Sequence, residues 1–481
     1  MVVLGHIDHG KSSLLEAIKD LKITEKESGG ITQHIGAYQI EEQGKKITFI
    51  DTPGHEAFSQ MRARGAKVAD IAILVVDSSE GVKAQTKEAI SHIKKADIPA
   101  IVALNKIDKP EADPEKVKRE LQKEDFLVES MGGKIPSIEI SAKTGKGIPE
   151  LLELISLVAE MEGLKADPEK PAEGVIIESY LDNLRGPTAT LLLTEGSLKK
   201  GDIIGTPSAF TKVRNLENFQ GKPIEKALPS DPVIVFGFNQ VPRVGEAFKI
   251  FPDLESAQNY LEAPKKISPQ VLEVSEEKKV LNLILKADVL GSIEAIEEIL
   301  KDLPQEKVAL RILKSEVGNI NESDLKLAKG GRAVILGFRV GFDPIAQKLA
   351  ERERVKVMTF EVIYELVEGI RKLMERFVEP EEVRVDLGKV KVLAKFLAEK
   401  NRQIIGGKVI EGEVKRGSLI EVFRGEEKIG QGKIINLQKN KKDVDSVSKG
   451  EECGILFEGS TKIEGGDVLL IYTEEKRKTG L

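Results

Sequence analysis

The sequence predicts a multidomain protein of the α/β plus β class. Residues 1–164 alternate short apolar strands with amphipathic helices, whereas 172–265 and 382–481 are rich in short strands and glycine turns. Between them lie a second α/β stretch over 275–361 and one long helical pattern over 362–381. We therefore expect a doubly wound P-loop domain, a β-barrel, a three-layer α/β/α domain, a linker helix and a C-terminal β-barrel.

The first predicted strand leads into a phosphate-binding loop. The apolar run Val2-Val3-Leu4 is typical of a buried strand, and an amphipathic helix follows the loop. The loop has the pattern G-x-x-x-x-G-K-S, in the residues Gly5-His6-Ile7-Asp8-His9-Gly10-Lys11-Ser12. Backbone N–H groups of such a loop point at phosphates, Lys11 reaches the β- and γ-phosphates, and the Ser12 hydroxyl ligates Mg²⁺. The sequence therefore predicts a site for a nucleoside triphosphate with magnesium.

Two later segments indicate that the base is guanine. The apolar run 100–104 ends in Asn105-Lys106-Ile107-Asp108, and a short strand precedes Ser141-Ala142-Lys143. The Asp108 carboxylate can accept hydrogen bonds from the N1–H and the exocyclic amine of guanine, which adenine does not offer. The Lys106 stem can lie along the base, and a backbone N–H of the second segment can meet the guanine oxygen. Alone, the first segment is equally compatible with a surface turn; with the phosphate loop it favours guanine.

Two switch elements are predicted around the terminal phosphate. A strand over 47–50 leads to Asp51-Thr52-Pro53-Gly54, where Asp51 is expected to contact Mg²⁺ through water. The Gly54 N–H is expected to face the γ-phosphate and to move when that phosphate leaves. Thr32, after two glycines, is the candidate for the loop that closes over Mg²⁺.

His55 is the candidate catalytic residue. It follows Gly54, where signalling GTPases generally place a glutamine that orients the attacking water. A lone histidine is more often an ordinary polar residue than a catalytic one. However, four of the five histidines fall within the phosphate-site motifs, namely His6, His9, His34 and His55, whereas His92 lies on a predicted helix. That concentration favours a functional role for at least some of them.

Composition restricts the class of protein. Cys453 is the only cysteine among 481 residues, so an intramolecular disulfide is excluded. No apolar run approaches the ~18 residues of a membrane helix, and the start lacks a signal-peptide pattern, so a cytoplasmic location is expected. The net charge of −6 excludes a strongly basic nucleic-acid binder, yet residues from Val383 onward hold 20 Lys and Arg against 16 Asp and Glu. That local excess fits either an RNA-facing patch or an ordinary surface.

An internal repeat indicates that the two strand-rich stretches are related. The segment Gly196–Ile204 matches Gly412–Ile420, and each is followed by a Gly-acid turn, Gly245-Glu246 and Gly466-Asp467 respectively. Two related barrels explain the match, and coincidence of common turn residues is the alternative. The helix over 362–377 has one apolar face, which fits either transmission of a displacement or plain packing between domains.

The motifs G-H-I-D-H-G-K-S and D-T-P-G-H resemble those of the translational GTPases, the ribosome-bound initiation and elongation factors. The segments Gly29–Tyr38, Leu285–Ser292 and Glu452–Ile455, together with the domain order, resemble the bacterial translation initiation factor two family. Relative to that family the chain lacks the usual N-terminal extension, as a trimmed or a naturally minimal form would.

The resemblance implies a function. It implies GTP-dependent binding of initiator (formylmethionyl) tRNA to the small ribosomal subunit, promotion of joining with the large subunit, and ribosome-stimulated GTP hydrolysis by a monomer that uses GTP/GDP and Mg²⁺. It assigns Gly407, Glu451 and Cys453 to the tRNA site, although many members have Cys and Tyr at the first two. The alternatives are an elongation-factor-like, metabolic or regulatory GTPase, and a non-catalytic GTP-dependent RNA-binding assembly module.

Overall fold

The computed structural model describes residues 1–19, 32, 34–42, 44–262, 279–377, 381–399 and 401–477. These divide into two compact units, Met1–Met374 and Glu375–Leu481. The predicted domain boundaries at 265 and 275, and residues 29–31 and 33 of the predicted first switch, lie outside the described residues. The five-part division of the chain stays a prediction, and the sheets below show what each part contains.

The first part of the chain is a doubly wound parallel sheet with helices. Its strands are β1 (Val2–Gly5), β2 (Gly36–Glu42), β3 (Lys45–Asp51), β4 (Ala72–Asp77), β5 (Ala100–Asn105) and β6 (Ser137–Glu139). Its helices are α1 (Lys11–Lys19), α2 (Ser59–Val68), α3 (Ala84–Ala96), α4 (Pro114–Lys123) and α5 (Ile148–Met161). The strand order is β2-β3-β1-β4-β5-β6, and only β2 runs antiparallel to its neighbour.

This sheet is built from apolar runs that helices cover on both faces. Every residue of β4 and β5 is buried, as expected for central strands of a parallel sheet. The loops after β1, β3, β5 and β6 carry the phosphate loop, the second switch and the two base-recognition segments. Because these loops leave the same edge of the sheet, residues from four separate parts of the sequence meet there.

The second part is an antiparallel sheet around one core. Its elements are β7 (Glu173–Asp182), β8 (Gly186–Glu195), β9 (Leu198–Lys199), β10 (Ile203–Gly205), β11 (Phe210–Lys212), β12 (Leu216–Asn218), β13 (Pro223–Ile224), β14 (Lys226–Ala227), β15 (Pro232–Phe236), β16 (Ala247–Phe251) and α6 (Leu254–Asn259). Eight strands pair in the order β11-β10-β16-β7-β8-β15-β12-β13, and β9 pairs with β14. Side chains from both ends of that order share one hydrophobic core, including Ile204 and Leu216.

The third part is a four-stranded parallel sheet with helices. Its elements are β17 (Lys279–Ala287), α7 (Leu290–Asp302), β18 (Val308–Val317), α8 (Glu322–Gly331), β19 (Val334–Phe338), α9 (Pro344–Glu353), β20 (Val357–Phe360) and α10 (Ile363–Phe377). The strand order is β18-β17-β19-β20. Helix α8 went unpredicted, although Asn321 and Asp324 form a capping box at its start. Within the described ranges no helix is long and apolar enough to cross a membrane.

The second unit is a closed antiparallel barrel. Its strands are β21 (Glu381–Glu399), β22 (Arg402–Lys415), β23 (Leu419–Arg424), β24 (Glu427–Lys439), β25 (Lys442–Asp443), β26 (Ser446–Ser448), β27 (Glu452–Glu458) and β28 (Val468–Arg477). The circuit β21-β28-β23-β24-β27-β22 closes because β22 also pairs with β21. Arg424 forms a two-pronged ion pair with the nearly fully buried Asp467, with N–O distances of 2.9 and 3.0 Å.

The repeated glycines adopt matching backbone conformations in the two strand-rich parts. All six lie at positive φ, where a glycine is favoured because it has no Cβ. The φ values pair as 71° and 69° for Gly196 and Gly412, 99° and 85° for Gly201 and Gly417, and 85° and 98° for Gly245 and Gly466. The sequence repeat is therefore a repeat of backbone geometry at three successive turns.

Candidate guanine-nucleotide site

The phosphate loop leaves β1 through backbone conformations that glycine allows. Gly10 has φ 92°, and a Cβ there would lie 2.3 Å from the Asn105 side chain. A Cβ at Gly5 would lie 2.3 Å from the Val75 carbonyl oxygen. The Ile7 N–H donates to Gln85 Oε1 at 3.0 Å, which fixes the middle of the loop. Glycine at both positions is thus required by packing as well as by phosphate binding.

Lys11 is the cation at the centre of this loop. Its Nζ donates to the carbonyl oxygens of Gly5 and His6, at 3.1 and 2.8 Å. Burial is the main cause that lowers the pKa of Lys11 to about 8; the Asp51 carboxylate opposes this shift and the Arg62 guanidinium adds to it. A buried amine in this position favours an anionic partner, since a phosphate would replace the solvation that the ammonium has lost.

A cavity of about 350 Å³ opens beside Lys11. Its lining comes from the phosphate loop, both switches and the base-recognition loop: Ile7, Asp8, Gly10, Lys11, Ser12, Ser13, Thr32, Gly54, His55 and Lys106. Gly54 approaches so closely that a Cβ there would lie 2.6 Å from Lys11 Nζ. The second switch can therefore bring its backbone against the phosphate site only because this residue is glycine.

The three residues predicted to hold magnesium lie together. Ser12 Oγ is 2.6 Å from Thr32 Oγ1, and it donates to Asp51 Oδ2 at 3.2 Å. Thr32 Oγ1 also donates to Asp51 Oδ2, at 3.4 Å. Two hydroxyls beside a buried carboxylate form an all-oxygen donor set, which is the kind that Mg²⁺ prefers when phosphate oxygens supply further ligands. The neighbouring Thr52 points away, and its hydroxyl donates to the Val3 carbonyl at 2.8 Å.

Asn105 joins the phosphate loop to both base-recognition segments. Its Nδ2 donates to the His9 carbonyl at 2.9 Å, and its Oδ1 accepts from the Ala142 N–H at 3.0 Å. The Ala142 amide, which lies in the segment expected to meet the guanine oxygen, is thus engaged by Asn105 here. The Ile107 N–H donates to the Ile140 carbonyl at 3.3 Å, which holds the two segments side by side.

Asp77 orients the base-recognition lysine, a role that the motif analysis missed. The fully buried Asp77, at the end of β4, accepts from Lys106 Nζ at 2.8 Å and from Lys109 Nζ at 3.2 Å. Burial alone would raise the pKa of Asp77, but hydrogen bonds from Lys106, Ser79 and Lys109 outweigh it and hold the pKa below its usual range. Lys106 also donates to the Asp8 carbonyl, so it spans from β4 to the phosphate loop.

Asp108 is exposed at the mouth of the site, where a base can reach it. Ser141 Oγ donates to Asp108 Oδ1 at 2.6 Å, and this bond, with the charge of Lys143 as a lesser cause, lowers the pKa of the carboxyl. The carboxylate is therefore held ionised and in one orientation. A charged acceptor of this kind suits the two adjacent donors of guanine.

His55 caps a single 3₁₀ turn, Glu56–Phe58, beside the phosphate cavity. Its Nδ1 accepts from the Ala57 N–H at 3.0 Å, whereas Nε2 is buried without a hydrogen-bond partner among the described residues. Burial, assisted by the Arg62 charge, lowers the pKa of His55 to about 4. The imidazole is neutral at physiological pH, and Nε2 is its available polar atom.

Arg62 holds the second switch from beneath and was also missed. It is fully buried in α2, and its guanidinium donates to the carbonyls of Pro53, His55 and Glu56, at 2.9, 2.5 and 3.4 Å. A paired contact to Glu88, at 2.7 and 2.9 Å, balances its charge. No spacing rule identifies such a residue, because its partners are backbone carbonyls that any sequence provides.

The other histidines occupy different environments. The rings of His6 and His9 meet edge to face, 5.1 Å apart, and burial lowers the pKa of His9 to about 3. His34 contacts Asp288 of the third part at 2.9 Å. His92 lies on α3 and contacts Glu88 at 3.1 Å, so it belongs to the support of Arg62.

The residues assigned to tRNA lie in the closed barrel, two of them inside it. Gly407 and Cys453 pair across β22 and β27, and both are buried; burial raises the pKa of the Cys453 thiol to about 11. A Cβ at Gly407 would lie 2.5 Å from Val390 and 2.9 Å from the Lys391 carbonyl oxygen, so this glycine leaves no vacant space. Glu451 lies at the surface and pairs with Lys439 at 2.5 Å.

Four known families match successive stretches of the chain. The matching families are described as elongation factor Tu GTP binding domain over residues 1–161, elongation factor G domain 2 over 171–250, translation-initiation factor 2 over 258–371, and elongation factor Tu domain 4 over 387–470. This is the architecture of a translational GTPase.

Curated relatives match along the whole chain. Proteins named translation initiation factor IF-2 are 46% identical in Halothermothrix orenii, over 100% of this chain and 72% of the relative, and 44% identical in Thermotoga sp., over 99% and 71%. The chain belongs to the translation initiation factor IF-2 family. A third relative, from Carboxydothermus hydrogenoformans, is 45% identical. The match covers 100% of this chain but only 60% of the length of that relative.

A solved structure of GDP-bound aIF5B from Aeropyrum pernix is 27% identical, over 98% of this chain and 91% of that one, with a TM-score of 0.48. The family match over residues 1–161 indicates that the chain contains a GTP-binding domain.

Proposed function

We propose that this protein is an initiation factor that binds initiator tRNA on the small ribosomal subunit, promotes subunit joining, and hydrolyses GTP when the ribosome stimulates it. The observation that carries the proposal is the placement of a neutral histidine, His55, on the lining of a cavity that also contains the phosphate-loop lysine. The family match supports the same function, because two named relatives are initiation factors over nearly the whole chain.

The residues that surround the phosphate cavity have separate roles in the proposed hydrolysis of GTP. Lys11 and the loop N–H groups bind the β- and γ-phosphates, and Gly54 brings a further backbone N–H against the γ-phosphate. Ser12 and Thr32 would hold Mg²⁺ directly, with Asp51 acting through water, and the ion supplies charge stabilisation of the phosphate oxygens. His55 Nε2 positions the attacking water or stabilises charge in the transition state after the imidazole turns towards the phosphate.

The tRNA site is proposed to be the closed barrel. Its excess of basic residues supports contact with RNA phosphate, and its match to elongation factor Tu domain 4 supports a role in a translation complex. The buried Gly407 and Cys453 would act by shaping the barrel wall, whereas the surface residue Glu451 would face the tRNA. We further propose that the protein acts as a monomer in the cytoplasm, where a factor that binds ribosomes and tRNA would work.

The test compares GTP hydrolysis with and without ribosomes. His55→Ala should bind GTP as the parent does, and its ribosome-stimulated hydrolysis should fall by ~10²-fold or more, because the lost contact acts in the transition state. Gln122→Ala, at an exposed position on α4 that does not line the phosphate cavity, is the control and should retain stimulation. A parent protein that ribosomes do not stimulate would instead favour a metabolic GTPase or a non-catalytic RNA-binding module.

A further inference from the structure

The imidazole of His55 is held by a residue more than 300 positions further along the chain. The ring of Tyr364, the second residue of α10, lies 4.2 Å from the His55 ring, centroid to centroid, at an interplanar angle of 45°. Phe58 contacts the same imidazole from the 3₁₀ turn, at 6.0 Å and 78°. Two aromatic rings therefore contact the candidate catalytic group, and only one of them belongs to the switch itself.

Tyr364 is placed there by the anchoring of α10. The side chains of Ile363 and Leu366 on either side are fully buried, which fixes the first turn of the helix. Tyr364 itself is 50% exposed, so the packing of this domain does not require its ring. Burial that the ring does experience raises the pKa of its hydroxyl, with Asp8 and Glu56 contributing. The tyrosine thus contributes more to the His55 contact than to a core.

Beside this contact lies space into which the pair can move. A cavity of about 420 Å³ separates the switch turn from α7 and α10, and its lining includes His55, Glu298, Asp302, Tyr364 and Arg371. His55 lines this cavity and the phosphate cavity alike. The imidazole therefore lies between two openings, one towards the phosphates and one towards the first turn of α10.

We propose that Tyr364 is a positioning residue that holds His55 in its capping orientation, so that GTP hydrolysis requires displacement of the first turn of α10. The inference rests on the proposed catalytic role of His55. In the held orientation Nδ1 accepts from the Ala57 N–H and the ring is stacked on Tyr364, so that turning inward breaks both contacts together. An aromatic pair of this kind shifts such an equilibrium by about two- to tenfold.

The test uses the full chain and measures single-turnover GTP hydrolysis without ribosomes. Tyr364→Ala should raise the rate by about two- to tenfold, because a larger fraction of molecules has a released imidazole. Affinity for GTP should stay within twofold of the parent, since Tyr364 does not line the phosphate cavity. Tyr364→Phe keeps the ring and should hydrolyse GTP at the parent rate. This variant separates the effect of ring stacking from effects of the hydroxyl or of a general loosening of the protein structure.

A second measurement ties the effect to His55. In the double variant Tyr364→Ala, His55→Ala the increase should disappear, and in Tyr364→Ala the proton resonances of the His55 ring should lose the ring-current shift imposed by the tyrosine. An unchanged or lower rate in Tyr364→Ala would overturn the proposal. If His55→Ala alone retained full ribosome-stimulated hydrolysis, the proposed function of His55 would fail first, independently of any result at Tyr364.

Discussion

His34 and Asp288 form a hydrogen bond of 2.9 Å between residues 254 positions apart in the sequence. His34 lies within the predicted first switch, Gly29–Tyr38, and Asp288 follows β17. Arg339 Nε lies 3.3 Å from the same carboxylate, and Glu178 of β7 is buried close by. Although burial opposes it, the bond to Asp288 raises the pKa of His34, and burial raises the pKa of Glu178 to about 7. Three parts of the first unit thus meet at one titrating cluster.

Replacing Glu178 by Gln should change how stability depends on pH. The pKa of Glu178 in the folded protein, about 7, lies above the usual glutamate value of 4.5, so the folded protein binds this proton more tightly. Its stabilising contribution is full below pH 4.5 and is lost as the pH rises through 7. Relative to the parent, Glu178→Gln should therefore gain roughly 3 kcal/mol of unfolding free energy between pH 4.5 and 8. Thermal unfolding at stepped pH measures it.

Protonation of His34 should also stabilise the folded protein, over a higher range of pH. Its contribution is full below pH 6.5 and is lost as the pH rises through its raised folded pKa. The control for the Glu178 experiment is Glu173→Gln, an exposed position on the same strand, whose pH profile should follow that of the parent. A constant difference between Glu178→Gln and the parent across this range would show that the carboxyl is ionised throughout.

Asp108→Asn should change the choice of base. The substitution replaces the carboxylate that accepts from the two guanine donors with an amide. The NH₂ group of this amide faces one guanine donor and cannot accept from it, so the affinity for GTP should fall by about a hundredfold or more. Xanthosine triphosphate should bind better than GTP, because its 2-oxo group accepts from the new amide. Ser141→Ala removes the 2.6 Å bond that orients the carboxylate and the bond that the same hydroxyl accepts from the Thr144 N–H at 3.2 Å. It should weaken GTP binding less and leave the base preference intact. Competition of both nucleotides against a fluorescent analogue measures these affinities.

Arg62→Met should destabilise the second switch. The change removes the Arg62 hydrogen bonds from the carbonyls of Pro53, His55 and Glu56, and it removes the arginine partner of Glu88. Loss of a buried, hydrogen-bonded charge costs about 3–5 kcal/mol. Backbone amide hydrogen exchange should accelerate first around residues 53–58, before the closed barrel of the second unit unfolds. Arg119→Met replaces an exposed arginine on α4 and should change the free energy of unfolding by less than about 0.5 kcal/mol. Equal losses in both variants would contradict the role assigned to Arg62.

Sequence patterns could identify residues that lie together in the candidate nucleotide site because these residues follow strands that end at one edge of the sheet. Ser12, Thr32 and Asp51 were expected to share magnesium, and they lie within hydrogen-bonding distance of one another. The supporting residues escaped prediction for a physical reason. Arg62 bonds to backbone carbonyls, Asp77 acts through the lysine of another loop, and Tyr364 depends on how distant parts of the chain pack. None of these contacts has a fixed spacing in sequence.

The resemblance assigns Gly407 to the tRNA site, but sequence alone could not show what surrounds this glycine. A Cβ added at Gly407 would meet Val390 and the Lys391 carbonyl oxygen within the barrel. The alternation of residues along β22 predicts only which face of the sheet each residue occupies. Irregularities in the register between β21 and β22 interrupt this alternation in three places. The prediction for Glu451, which lies at the surface, does not depend on this register and stays open to test.

The final prediction concerns recognition by the C-terminal barrel. A fragment over 375–481 should fold without nucleotide, because its strand circuit closes within the fragment around one continuous core. It should bind aminoacylated initiator tRNA with an affinity that weakens as salt rises, since basic residues exceed acidic ones from Val383 onward. Glu451→Tyr removes a carboxylate and releases Lys439 from its 2.5 Å ion pair, so binding should tighten.

Filter binding with formylated, unformylated and uncharged initiator tRNA separates charge from end recognition. The parent fragment should prefer the formylated form, and Glu451→Tyr should widen that preference if the residue faces the aminoacyl end. Glu427→Tyr, at an exposed position on β24, is the control for a non-specific gain from losing one negative charge. Equal tightening in both variants would assign the effect to net charge alone. A fragment that binds charged and uncharged tRNA equally would place the recognition site elsewhere in the chain, because an end-reading barrel must distinguish them.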